Sequence, residues 1–171
     1  MKLKDKLIFL DIDGVVNTLM IDTKPFLNSR RNISREGFYF DLCSLEDNRV
    51  SNRQAIMWLN KLCKETKAKI VISSTWRLCE RKHNTVEKCL RNSGLLDEIQ
   101  IIGKTPRLNG KTRGDEILKY LEDNYPDGVA AYVILDDDKD MNGCMEALVQ
   151  CDNNYGFNYP EYIKAFHILN K

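Results

Sequence analysis

LIFLDIDGVVNT, residues 7 to 18, opens on four consecutive apolar residues, Leu7 to Leu10, and then turns abruptly to carboxylates. An apolar run this short, with charge before it and Asp11 and Gly14 after it, fits a strand buried on both faces better than an amphipathic helix. Residues two apart on an extended chain point the same way, so Asp11 and Asp13 reach one site. Gly14 permits the sharp turn that brings backbone close to a ligand. Taken alone, D-x-D-G serves equally well as a strand-ending turn whose Asp side chains accept from backbone amides, so the rest of the chain has to decide.

Working outward, Ile70 to Ile72 and Ala130 to Leu135 (AAYVIL) are further buried strands, each ending in polar residues. Glu98 to Ile102 reads as a fourth strand and Ala147 to Cys151 as a fifth. Between them lie helical patterns. Ser51 and Gln54 suggest a capping box for a helix reaching about Lys64, with Ala55, Ile56, Trp58, Leu59, Leu62 and Cys63 on one face. Residues 85 to 91 make a short helix, Thr112 and Asp115 cap another through Ile117, Leu118 and Leu121, and a fourth is expected from near Met141. Strands alternating with helices predict a parallel, doubly wound α/β sheet, which binds ligands beyond the carboxyl ends of its strands. The polar stretch from residue 18 to 50 fits none of this and is expected to be an insert or flap within one domain spanning 1 to 171.

Three more segments add chemistry. VILDDDKD, residues 133 to 140, again ends a buried strand in carboxylates. Two acidic strand ends in one sheet repel each other unless a cation compensates, and a hard divalent ion with oxygen ligands, Mg2+, is the usual solution. Asp137 is the first candidate ligand here and Asp136 the next, joining Asp11 and Asp13. KIVISSTWR, residues 69 to 77, offers the hydroxyls of Ser73 and Ser74 to phosphate oxygens, with Arg77 placed to take a second anionic group. In GKTRGDEI, residues 110 to 117, Lys111 or Arg113 stands at a helix start, where a cation neutralises a carboxylate and a transferring phosphoryl group. The spacing is not that of a Walker loop.

The bulk composition narrows the rest. It is 43% hydrophobic and 30% charged, without any long apolar run, so neither a membrane span nor a secretory leader is expected and a cytoplasmic location is the default. Lys plus Arg (26) and Asp plus Glu (25) nearly cancel, so net charge argues neither for nor against a nucleic-acid partner. The six cysteines, at 43, 63, 79, 89, 144 and 151, show no zinc spacing and read mostly as reduced core residues. His83 and His167 flank no nucleophile motif and receive no catalytic role. Oligomeric state is not legible.

The four segments, in this order, resemble the haloacid dehalogenase (HAD) superfamily of phosphohydrolases, over about residues 6 to 157. ISSTWR, RGDEI, VILDDDKDM and VQCDNNYGF resemble more narrowly the HAD domain associated with Swiss Army Knife RNA-repair proteins. The resemblance implies a Rossmann-like three-layer sandwich with a parallel sheet and a small insert after the first strand. It implies Asp11 as nucleophile, Asp13 as general acid and base, Ser74 as phosphate-binding hydroxyl, Arg113 as neutralising cation and Asp137 as a magnesium ligand. Ser73 for Ser74 and Lys111 for Arg113 are the alternative registers. The chemistry implied is a magnesium-dependent phosphatase with an aspartyl-phosphate intermediate.

For the substrate, Arg30, Arg31, Arg35, Arg77, Arg81 and Lys82, with Phe38, Tyr39, Phe40 and Trp76 interleaved, suggest a basic and aromatic rim, although for each residue taken singly a core aromatic or a solvated charge is the commoner fate. Such a rim favours a nucleotide or a nucleic-acid terminal phosphate over a sugar phosphate or other small metabolite. Two other classes compete: a phosphate-sensing switch resembling a response-regulator receiver, and a non-catalytic HAD module that binds phosphate or RNA. Asp13, two residues after Asp11, argues against the receiver, and the full complement of side chains argues against the second.

Overall fold

The computed structural model describes residues 4–18, 52–78 and 85–171. The expected insert, its Arg30, Arg31, Arg35, Phe38, Tyr39 and Phe40, the cap residue Ser51, and Arg81, Lys82, His83, Cys43 and Cys79 lie outside the described residues. No helix of the described residues is long and apolar enough to cross a membrane.

Five strands, β1 (Lys6–Leu10), β2 (Lys69–Ile72), β3 (Ile101–Lys104), β4 (Ala131–Asp136) and β5 (Leu148–Gln150), form one parallel sheet in the order β3-β2-β1-β4-β5. The helices are α1 (Arg53–Thr66), α2 (Val86–Asn92), α3 (Arg113–Asn124) and α4 (Tyr159–Leu169). The central strand shows why the sheet is covered on both faces: Leu7, Ile8, Phe9 and Leu10 are all fully buried. Ile8 and Leu10 join Ile70, Val133 and Leu135 under α1, α2 and α4, while Leu7 and Phe9 join Val71 and Ile134 under Ile117 and Tyr120 of α3. The result is three layers. Each such side chain contributes roughly 1.5–3 kcal/mol on burial, so β1 cannot slip along the sheet without drawing Asp11 into an apolar interior.

The chain runs β1, β2, β3 to one side and then crosses to β4 on the other side of β1. Carboxyl ends of neighbouring strands separate at such a reversal, which is where open α/β sheets bind ligands. Here the two strands at the reversal end in Asp11 and in Asp136.

Several expected boundaries are corrected. The fourth strand starts at Ile101, not Glu98, because Ile99 closes a turn onto Leu96 before Ile101 pairs with Ile70. Asn52, not Ser51, caps α1, its side chain accepting from the Ala55 amide at 3.0 Å. No helix grows from Met141: Gly143, at φ +78°, ends any helical path, and only a 3-10 turn at Met145–Ala147 follows. The last helix is instead α4, unread in the sequence although Pro160 in its first turn and Glu161 behind it are start signals. The capping box of Thr112 and Asp115 on α3 is present in both directions.

Candidate active site

The first turn after β1 is held from two sides. The Asp11 amide continues the ladder to the Leu135 carbonyl at 2.9 Å, and the Ile12 carbonyl accepts from Val16 (3.0 Å) and Asn17 (2.8 Å), curling residues 12–17 into a compact loop. Gly14 sits at φ +70°, and a Cβ there would lie 2.4 Å from Asp137 Cγ. Only glycine lets the β1 turn and the carboxylate after β4 approach this closely. The Phe157 amide donates to the Val15 carbonyl at 2.8 Å, and Asn52 donates to Thr18 Oγ1 and to the Tyr155 carbonyl. The CDNNYGF segment therefore buttresses the first turn.

Asp11, Asp136 and Asp137 converge so that one carboxylate oxygen from each lies within 4.8 Å of the others. Asp136 Oδ1 accepts from the Asp138 amide at 3.0 Å, but Asp136 Oδ2 is buried without a hydrogen-bond donor among the described residues. Burial, then the charge of Asp11, pushes the Asp136 carboxyl up to about 8. Burial also raises Asp11 against the pull of Arg113, and burial with the Asp11 charge raises Asp137. Three carboxylates around one orphaned oxygen are a donor set suited to a hard, oxygen-loving dication, so Mg2+ fits. Asp13, expected as a fourth ligand, stands outside this trio. Its Oδ1 accepts from Asn17 Nδ2 and its Oδ2 from Trp76 Nε1, both at 2.8 Å.

Among the described residues, one cation faces the cluster. Arg113, at the first position of α3, donates from Nη1 to Asp11 Oδ1 at 3.2 Å and to the Ser73 carbonyl, and lies 3.6 Å from Asp136 Oδ2. Burial works against its charge, but Asp11 and Asp136 outweigh burial and hold the guanidinium above its usual value. The start of α3 is anchored by the Gly114 amide on the Asp140 carbonyl and the Arg113 amide on Asp140 Oδ2. Lys111, the alternative, is exposed.

The two serines separate as well. Ser74 presents its hydroxyl to Asp11 and accepts the Trp76 amide at 3.3 Å. Ser73 lends its carbonyl to both arginines, while its buried hydroxyl has no partner among the described residues.

Arg77 is a correction. Its Nε donates to the Thr105 carbonyl, Nη1 to the carbonyls of Ser73 and Ser74, and Nη2 to the Pro106 carbonyl and, at 2.6 Å, to Glu116 Oε2. All five N–H donors of the guanidinium are spent, so none remains for an anionic ligand. Trp76 takes the core alternative and not the rim one: only 5% exposed, it is no surface for a base to stack on. Sequence reading missed Asn17 and Glu116. Asn17 carried a signal, an amide four residues after Asp13 in a tight turn; buried Glu116 carried none.

Among the cysteines, 63, 89, 144 and 151 are buried and free, and His167 lies on α4. No match is found among the curated proteins or among the solved structures. Residues 7–162, however, match the model of a family described as the HAD domain in Swiss Army Knife RNA repair proteins. That match covers most of the chain, and the chain belongs to the family of the HAD domain in Swiss Army Knife RNA repair proteins.

Proposed function

We propose that this HAD domain is a magnesium-dependent phosphomonoester hydrolase that works through an aspartyl phosphate on Asp11, on a nucleotide or the terminal phosphate of a nucleic acid. The observation that carries the reading is the setting of Asp11, a buried carboxylate beside one guanidinium, one hydroxyl and two further carboxylates. Mg2+, held by Asp11, Asp136 and Asp137, would supply the positive charge that lets a carboxylate and a phosphate approach each other.

The chain's own residues supply the rest. Arg113 offsets charge on Asp11 and on the transferring phosphoryl group, and the Ser74 hydroxyl donates to a phosphoryl oxygen. An Asp11 oxygen attacks phosphorus in line. The bond from phosphorus to the leaving oxygen breaks, its electron pair stays on that oxygen, and the oxygen takes the proton of Asp13. Asp13, now ionised, takes a proton from the water that attacks the aspartyl phosphate, which frees phosphate and restores Asp11.

For the substrate, the two described members of the expected rim, Trp76 and Arg77, are both turned inward. A polyanion is supported instead by the end of β3 and the loop from it to α3, where Lys104, Arg107 and Lys111 are exposed and no acidic residue occurs between Glu98 and Asp115. That loop ends at Arg113, beside Asp11, and the family is one of RNA repair proteins. A cytoplasmic setting belongs to this reading.

The test is phosphate release from nucleotides, end-phosphorylated oligonucleotides and sugar phosphates, with and without Mg2+, by the wild type and Asp11→Asn. Magnesium-dependent release that Asp11→Asn abolishes is expected. Equal release by both proteins would overturn the reading, and activity on sugar phosphates alone would remove its nucleic-acid part.

A further inference from the structure

The side chain that meets Asp13 from across the site is an indole. Trp76 lies in the 3-10 turn Thr75–Leu78 that follows β2, and its Nε1 donates to Asp13 Oδ2 at 2.8 Å. On the other side, Asn17 Nδ2 donates to Asp13 Oδ1 at 2.8 Å. A carboxylate has about four lone-pair sites, so one donor on each oxygen fixes its plane and still leaves a site on each for a proton. Trp76 is buried, 5% exposed, in the same core cluster as Ile12, Val16 and Ile72. The main-chain amide of the same residue donates to Ser74 Oγ at 3.3 Å. One residue thus joins the hydroxyl beside the nucleophile to the carboxylate that stands apart from the metal-capable trio.

We propose that Trp76 is a positioning residue for proton transfer to the leaving group, acting through Asp13, and that Asn17 shares this task. The inference rests on the reading of Asp13 as acid and base. In the first step the Asp13 proton passes to the leaving oxygen as the phosphorus–oxygen bond breaks, and the Asp13 carboxylate that results keeps both N–H donors. In the second step the same carboxylate takes a proton from water. Trp76 neither gives nor takes a proton; it sets where the Asp13 oxygen stands when the leaving oxygen needs one. A positioned general acid matters most when the leaving oxygen is a poor leaving group, as in an alkyl or nucleoside phosphate. It matters least for an aryl phosphate whose phenolate departs unaided.

The experiment compares Trp76→Phe and Asn17→Ala with the wild type, all with Mg2+, on a nucleoside monophosphate and on para-nitrophenyl phosphate. Expected is a fall in kcat/KM of about tenfold or more on the nucleoside phosphate and a change within about twofold on the aryl phosphate, because kcat/KM reports only the steps up to departure of the leaving group and not the water step that the two substrates share. An equal fall on both substrates would mark a merely structural role, and no fall on either would remove the role; each overturns the inference. Should Trp76→Phe fail to fold, Asn17→Ala carries the same comparison.

A second readout does not depend on turnover. The chain has two tryptophans, and the Nε1 of the other, Trp58, is buried without a partner among the described residues. In a nitrogen–proton correlation spectrum of the indoles, Asp13→Ala should shift the Trp76 signal and leave that of Trp58 in place. An unmoved Trp76 signal contradicts the contact. Failure of the phosphatase reading is seen separately, as wild-type turnover that is absent or independent of Asp11, and it removes the positioning role even where the indole signal moves.

Discussion

Arg77 and Arg113 are both guanidiniums at the carboxyl edge of one sheet, and both bind the Ser73 carbonyl. Their surroundings make them different instruments. Arg77 has spent all five donors on four carbonyls and Glu116, and the ion pair it makes is 2% exposed on both sides. Among the described residues the Arg113 side chain makes its contacts through Nη1, to Asp11 and the Ser73 carbonyl, and stands 3.6 Å from Asp136. The first cation closes the loops after β2 and β3 onto α3. The second is set by that closure where a phosphoryl group would arrive. In the proposed reaction, the position of the catalytic cation is set by a structural one.

Substitutions can pull the pair apart. Arg77→Ala should have the largest effect, a loss of up to about 3–5 kcal/mol of folding stability, because buried Glu116 keeps only the half-exposed Arg107, 3.7 Å away, and the Leu108 amide as partners. A fall in thermal midpoint on the order of 10 °C is expected, read by calorimetry. A native midpoint would erase the distinction between the arginines. Arg113→Ala should instead keep its fold and lose about 10²–10³ in kcat, the usual cost of removing one preorganised charge. Collapse of the fold would make Arg113 a second structural cation.

The carboxylates opposite Arg113 give the next prediction. Asp136 is held up to about 8, above its ordinary 3.8, so the folded protein binds a proton that the unfolded chain releases between those values. Without metal, stability should therefore fall as pH rises through that window, and the upward shifts of Asp11 and Asp137 have the same sign. Thermal midpoints taken from about pH 5 to about pH 8 in a chelator should decline, and Mg2+ should add most at the alkaline end. Asp136→Asn should flatten both slopes; a pH-independent gain from Mg2+ would contradict this. The smallest effect is expected for Lys111→Gln, whose kcat on a small phosphomonoester should change by less than about twofold, as befits an exposed cation. A loss as large as that of Arg113→Ala would reinstate Lys111 as the site's cation.

What was legible in the sequence follows from how locally each feature is determined. Asp11, Asp136, Asp137 and Ser74 are placed by the strands they terminate, and an apolar run followed by polar residues announces such an end. The capping box at Thr112 fixes where α3 begins and hence where Arg113 stands. Arg77 and Trp76 lie on a turn, and their directions are set by Glu116 and Asp13, 39 and 63 residues away. No local pattern carries that information, so the sequence leaves Arg77 free for an anion and leaves Trp76 open between core and rim. The start of β3 depended on pairing with Ile70, and α4 on the apolar face of α1, and neither partner is near in sequence.

The central claim is that Asp11 becomes phosphorylated during turnover, and the most direct measurement is acid-quenched mass spectrometry of the enzyme turning over with Mg2+. The peptide containing Asp11 should carry one added phosphoryl group, which is absent without Mg2+ and in Asp11→Asn. Phosphate release at the full rate with that peptide unlabelled, or with the label on another residue, would contradict the account.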